Sequence, residues 1–127
     1  MSFNPAAMNV LMVDDQVTML RIIRNFLHQI GFKNIKEATD GGMATEMVKK
    51  EKFDLIISDW NMEPVTGLDF LKAVRAMPEC KTIPFIMVTA ENKTENVIIA
   101  KQAGVSNYIV KPFSLDTLRA KIEHVCR

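Results

Sequence analysis

The sequence predicts an α/β domain built on a doubly wound, five-stranded parallel sheet in the order 2-1-3-4-5, with five helices. Three observations predict it. Five short apolar runs recur along the 127 residues, segments of helical spacing separate them, and the runs are continuously apolar instead of alternating, which marks strands covered on both faces. A chain of 14.4 kDa is long enough to bury one core without disulfides or a structural metal, so residues 1–127 are read as a single domain.

The first run is Asn9 to Val13, which leads into Asp14 and Asp15. Met19, Ile22, Ile23, Phe26, Leu27 and Ile30 then fall on one face of a helix that stops at Gly31. The second run, Asn34 to Ala38, precedes a helix over Gly42 to Lys50. The third, Asp54 to Ser58, is followed by Asp59 and a helix over Gly67 to Met77. The fourth, Pro84 to Val88, is followed by Thr89 and a helix over Lys93 to Ala103. After the fifth, Ser106 to Val110, come Lys111 and Pro112. Ser114 then serves as N-cap for a helix carrying Leu115, Leu118, Ile122 and Val125 on one stripe. Right-handed crossovers between parallel strands make 2-1-3-4-5 the economical order.

Composition excludes several classes of function. Apolar residues at 48% and charged residues at 24% are ordinary for a globular protein and rule out wholesale disorder. Sixteen basic against fifteen acidic side chains leave a net charge of +1, no electrostatic footprint for nucleic acid or an anionic membrane. The longest uncharged stretch, Met1 to Val13, is too short to span a bilayer and lacks the basic start of a signal peptide, which predicts a cytoplasmic protein. Cys80 and Cys126 form neither a disulfide framework nor a zinc motif and are read as reduced thiols. His28 and His124 fall inside helices, so no serine or cysteine nucleophile has a plausible histidine base, and neither G-x-G-x-x-G nor a P-loop occurs.

In such sheets the ligand site lies outside the carboxyl ends of the strands, where strand order reverses. Asp14, Asp15, Asp59, Thr89 and Lys111 all stand at those ends. With the first and third strands adjacent, three aspartates converge, an arrangement that requires a counter-charge. Hard oxygen donors without histidine or cysteine suit Mg²⁺. Three carboxylates, one divalent cation and one lysine sum to no net charge, so a phosphoryl group can enter without net repulsion. An acidic pair alone reads as a helix cap; Asp59, Thr89 and Lys111 at three further strand ends overturn that reading. What remains as nucleophile is a carboxylate.

At these residues the chain resembles the receiver domains of two-component response regulators. The motifs are Asp14-Asp15, Ser58-Asp59-Trp60-Asn61-Met62, Met87-Val88-Thr89-Ala90-Glu91 and Lys111-Pro112-Phe113, in order and spacing. The wording around Asp59 and Thr89 is most similar to the single-domain chemotaxis regulators (CheY type). The resemblance implies the flavodoxin-like, CheY-like form of the sheet and Asp59 as acceptor of a phosphoryl group from a sensor histidine kinase, becoming 4-aspartylphosphate. It implies Mg²⁺ on Asp15, Asp59 and the Asn61 carbonyl, with Asp14 acting largely through water. Lys111 would pair with phosphoryl oxygens, Thr89 would donate a hydrogen bond to the attached group, and the Lys111-Pro112 bond would be cis.

Tyr108 matches the family's switch aromatic. The implied partner face, made by the fourth helix, fifth strand and fifth helix, includes Val97, Tyr108, Val110 and Lys121. Asn61 and Glu91 occupy the positions that tune phosphoryl lifetime, here implying seconds to about a minute by analogy. The implied protein is a monomeric switch that catalyses only its own phosphorylation and dephosphorylation and binds the flagellar motor switch, with no nucleic-acid partner. Two alternatives are a receiver acting as phosphate sink or adapter, and a phosphatase with an aspartate nucleophile, although such phosphatases carry D-x-D after the first strand. The chain departs from the family at Glu63-Pro64-Val65-Thr66-Gly67, where the usual proline is displaced by one, and at Gln16, where the best-known chemotaxis regulators carry phenylalanine.

Overall fold

A computed structural model describes residues 3–90 and 93–126. Among these residues the elements are β1 (Asn9–Val13), α1 (Val17–Ile30), β2 (Asn34–Ala38), α2 (Gly41–Lys50), β3 (Leu55–Asp59), α3 (Gly67–Ala76), β4 (Phe85–Thr89), α4 (Thr94–Gln102), β5 (Asn107–Val110) and α5 (Leu115–Val125). A short 3₁₀ turn at Pro5–Ala7 precedes them and was not expected from the sequence. All strand pairs are parallel and the order is β2-β1-β3-β4-β5, as expected. No helix among the described residues is long and apolar enough to cross a membrane.

Strand parity divides the core into two layers. Leu11, Val13, Ile56, Phe85 and Met87 face α2 and α3, against Ala44, Val48, Phe70, Leu71 and Val74. Val10, Met12, Leu55, Ile57, Ile86, Val88 and Ile109 face α1 and α5, against Leu20, Ile23, Leu27, Leu118 and Ile122. Burial on both faces explains why the central strands read as unbroken apolar runs. The edge strand β2 is mostly exposed and carries Lys36 and Glu37, charges that protect an open edge.

Two strands end one residue later than the apolar runs suggest. The Trp60 N–H donates to Val88 O at 3.0 Å and the Lys111 N–H to Thr89 O at 2.7 Å, so the ladder continues past Asp59 and Thr89 and makes them the last residues of β3 and β4. Asp54 stands just before β3, where its carboxylate accepts from the Asn9 N–H at 2.8 Å. Three helices are capped from the side chain: Asp40 accepts from Met43 N, Thr66 from Asp69 N and Ser114 from Thr117 N. α1 ends where Gly31 takes φ 121°, a conformation that glycine adopts at no steric cost.

The second positive-φ glycine, Gly104 at φ 96°, is clamped by Arg75 from α3. Its Nε donates to Gly104 O at 2.8 Å, Nη1 to Ile83 O at 2.7 Å, and Nη2 reaches Ser106 Oγ at 3.4 Å. One guanidinium thereby joins the entrances to β4 and β5, and burial lowers its pKa from the ordinary arginine value. Arg75→Ala leaves two carbonyls without their charged donor and is expected to cost about 2–4 kcal/mol in urea unfolding. Arg75→Lys restores little, because one ammonium cannot reproduce the planar fork. Native stability in Arg75→Ala would show that the clamp is dispensable.

Candidate functional site

The register of the sheet assembles the site. Val13 pairs with Ser58, so the next residues, Asp14 and Asp59, stand opposite one another. Asp14 continues the side of the sheet occupied by Val10 and Met12, Asp59 that of Leu55 and Ile57, and Lys111 that of Ile109. Carboxylate oxygens of Asp14, Asp15 and Asp59 lie within 4.8 Å of one another. Asp14 is fully buried and Asp59 is 5% exposed, whereas Asp15 opens to solvent.

Lys111 Nζ lies 3.3 Å from Asp14 Oδ2 and 3.2 Å from Asp59 Oδ1. Asp14 Oδ1 also accepts from the Gln16 N–H at 2.9 Å, which holds the chain between β1 and α1. Asp59 is served less well. Its buried Oδ1 is ion-paired with Lys111 at 3.2 Å but lacks a well-aligned hydrogen bond. Burial and then the neighbouring Asp14 raise the Asp59 pKa above 3.8, with Lys111 offsetting part of the effect. A buried oxygen so placed, beside two further carboxylates, fits a hard divalent cation of the Mg²⁺ type.

Thr89, fully buried at the end of β4, completes the row of strand ends. Asn61 is exposed on the β3–α3 loop, where Asp15, Trp60, Asn61, Met62, Glu63 and Thr66 line an open cleft of about 400 Å³ beside the acids. Both Lys111-Pro112, as expected, and Glu63-Pro64 are cis. Glu91 lies outside the described residues.

Gly67 is a residue of this site that sequence reasoning passed over except as a helix start. A Cβ on Gly67 would lie 2.0 Å from Asp59 O and 2.8 Å from Trp60 Cα, both backbone atoms that cannot rotate away. The Gly67 N–H meanwhile donates to Trp60 O at 2.9 Å. The start of α3 is thus packed directly on the peptide that carries Asp59, an approach only glycine permits. Gly67→Ala is expected to destabilise by about 3 kcal/mol or more, measured by urea unfolding. A cost under about 1 kcal/mol would mean that the two backbones separate freely.

Away from the acids, the half-buried Tyr108 ring meets the Trp60 ring edge to face, with centroids 6.4 Å apart at 78°. Of the other residues expected on the partner face, Val97 is half-buried on α4 and Val110 is exposed on β5. The Lys121 ammonium donates to Asn107 Oδ1 at 3.3 Å, which ties α5 to β5. α4 buries only Ala100 fully and exposes Ile98 and Ile99, two apolar residues that the sequence reading left unassigned.

Comparison with known proteins agrees with this geometry. The family profile described as "Response regulator receiver domain" matches residues 10–123. The chain is similar to "Chemotaxis protein CheY-3" of Vibrio cholerae, 49% identical over 118 residues that cover 93% of this chain and 91% of the relative. It is equally similar to "Chemotaxis protein CheY" of Pseudomonas aeruginosa, 49% identical over 93% of this chain and 95% of the relative. Among solved structures, the chemotaxis protein CheY4 of Vibrio cholerae superposes with a TM-score of 0.87 at 37% identity, covering 94% of this chain and 99% of that one.

Proposed function

The chain belongs to the response regulator receiver domain family, and from that membership we propose that it is a phosphorylation-dependent switch of the chemotaxis type, with Asp59 as phosphoryl acceptor. The observation that carries the reading is the environment of Asp59: a buried carboxylate clustered with Asp14 and Asp15, with only the Lys111 ammonium, shared with Asp14, as counter-charge.

Phosphoryl transfer asks little covalent chemistry of a protein beyond positioning and charge neutralisation. The Asp59 carboxylate attacks phosphorus, an O–P bond forms, and the bond to the donor, a kinase phosphohistidine or a small acyl phosphate, breaks. Lys111 pairs with the phosphoryl oxygens and Thr89 donates its hydroxyl to the attached group. Asp15, Asp59 and the Asn61 carbonyl, with Asp14 beside them, would hold Mg²⁺, which would supply further charge neutralisation. The only reactions catalysed are the protein's own phosphorylation and dephosphorylation, with Asn61 and Glu91 setting the lifetime.

Thr89 and Tyr108 convert the modification into a changed α4–β5–α5 surface, on which Val97, Val110 and Lys121 meet the target. A near-complete switch needs several kcal/mol of preference for the active arrangement. The relatives named as chemotaxis proteins support a role in chemotaxis; we further propose a monomeric, cytoplasmic regulator with the flagellar motor switch as its target. Trp60, the only tryptophan, adjoins Asp59 and reports on the site. Its fluorescence should respond first to Mg²⁺ and again to acetyl phosphate. A flat response to both, with titration calorimetry detecting no Mg²⁺, would contradict the reading.

A further inference from the structure

Gly41 opens α2, an element that contributes none of the residues assigned to the site above. Its φ is not positive, so glycine is not needed there for the backbone, and helix propensity favours alanine. The constraint lies elsewhere. A Cβ on Gly41 would stand 2.6 Å from Val65 Cγ1 and 2.9 Å from Val65 O, on the β3–α3 loop. We propose that Gly41 is a positioning residue for the Mg²⁺ site, because its missing side chain lets the β3–α3 loop close against α2 and so places Asn61.

The loop has no free end into which a displacement could dissipate. At one end Trp60 O accepts from both Met62 N, at 3.1 Å, and Gly67 N, at 2.9 Å. At the other, Thr66 caps α3 through Asp69 N at 3.1 Å. α2 is equally fixed, with Asp40 bonded to Met43 N at 2.8 Å and Ala44 and Val48 buried in the core. A methyl group at position 41 therefore pushes Val65 outward by roughly half an ångström to an ångström, and Asn61 to Pro64 absorb the shift. Mg²⁺ requires near-ideal octahedral distances, so a carbonyl displaced on that scale becomes a poor ligand. The inference rests on the reading of Asn61 as a metal ligand.

The test is Mg²⁺ affinity, read by Trp60 fluorescence and by titration calorimetry well below the thermal midpoint. Gly41→Ala should bind Mg²⁺ about tenfold more weakly, as changes behind a metal's ligands do. Gly42→Ala is the control on the same helix: its Cβ would meet only Asp40 Oδ1 at 3.2 Å and Val65 Cγ2 at 3.9 Å. It should stay within about twofold of native. Adding Val65→Ala to Gly41→Ala removes the 2.6 Å contact but leaves Val65 O at 2.9 Å, so it should recover part of the lost affinity and not all of it. Should Gly41→Ala fail to fold, Val65→Ile crowds the same contact from the loop side and should also weaken binding.

A purely structural role would lower the midpoint and leave Mg²⁺ affinity unmoved. Native affinity in folded Gly41→Ala, or in Val65→Ile where that variant is the one tested, overturns the inference while leaving the site intact. Equal weakening by Gly42→Ala overturns it too. A native protein that binds no Mg²⁺ overturns the reading of the site and this inference with it.

Discussion

Lys111→Met is expected to destabilise the protein by about 3–5 kcal/mol at pH 7, the usual cost of removing one partner from a buried ion pair. Lys111 Nζ lies within 3.3 Å of two carboxylates whose side chains are 1% and 5% exposed, so its loss leaves Asp14 and Asp59 facing each other without a cation. Methionine keeps most of the apolar stem, which confines the change to charge. The Asp59 pKa, already raised by burial and by Asp14, rises further once Lys111 no longer opposes them. Below the unfolded value of 3.8 the carboxyl is protonated in both states and costs nothing; as pH climbs through the higher folded value the cost accrues. The deficit of the variant should therefore be largest at neutral pH and should shrink toward pH 4. Mg²⁺ at ten times its Kd should restore about 1.4 kcal/mol by mass action. Urea unfolding at both pH values, with and without Mg²⁺, checks all three statements; a stability equal to native at pH 7 would contradict them.

Asp59→Asn should lower phosphoryl incorporation from acetyl phosphate by more than about 100-fold while raising stability. An amide is a poor nucleophile toward phosphorus. Asp14 is committed to Gln16 N and Lys111, which leaves no equivalent carboxylate at the end of β3. The stability gain follows from the raised pKa. Asp59 holds its proton more tightly in the folded than in the unfolded state, so ionisation costs folding free energy at neutral pH. Removing the charge should increase the thermal midpoint at pH 7 by a few degrees, and the gain should fade on acidification toward the unfolded value of 3.8. The stabilisation that Mg²⁺ gives the native protein should weaken in the same variant. A variant that still takes up phosphate at the native rate would move the acceptor elsewhere; one less stable than native at pH 7 would mean that the ionised carboxylate supports the fold.

How much of this was legible in the sequence follows from how each feature leaves a trace. β1, β3 and β4 are buried on both faces, so their apolar runs located them to within a residue. Asp59 and Thr89 were placed just beyond their strands because polar residues end an apolar run, although the hydrogen-bond ladder continues through them. The acids and Lys111 were legible because topology alone sends consecutive strand ends to one edge of the sheet. Gly67, Gly41 and Arg75 were not. A glycine selected for what a Cβ would strike shows no periodicity, and its neighbours, Asp59 O for Gly67 and Val65 for Gly41, are known only once the chain is folded. Arg75 bonds to carbonyls at Ile83 and Gly104, and a backbone acceptor has no sequence identity to recognise. α4 was legible as a helix but not as a surface, since Ile98 and Ile99 look like core residues until Ala100 proves to be the one fully buried side chain of that helix.

The most direct test of the central claim is to locate the phosphoryl group. The protein would be incubated with acetyl phosphate and Mg²⁺, reduced with borohydride to convert aspartyl phosphate to homoserine, and mapped by peptide mass spectrometry. Homoserine at position 59 alone, and none when Mg²⁺ is chelated, is the predicted result; homoserine at Asp14 or Asp15, or at no position, would contradict the assignment of Asp59 as the acceptor.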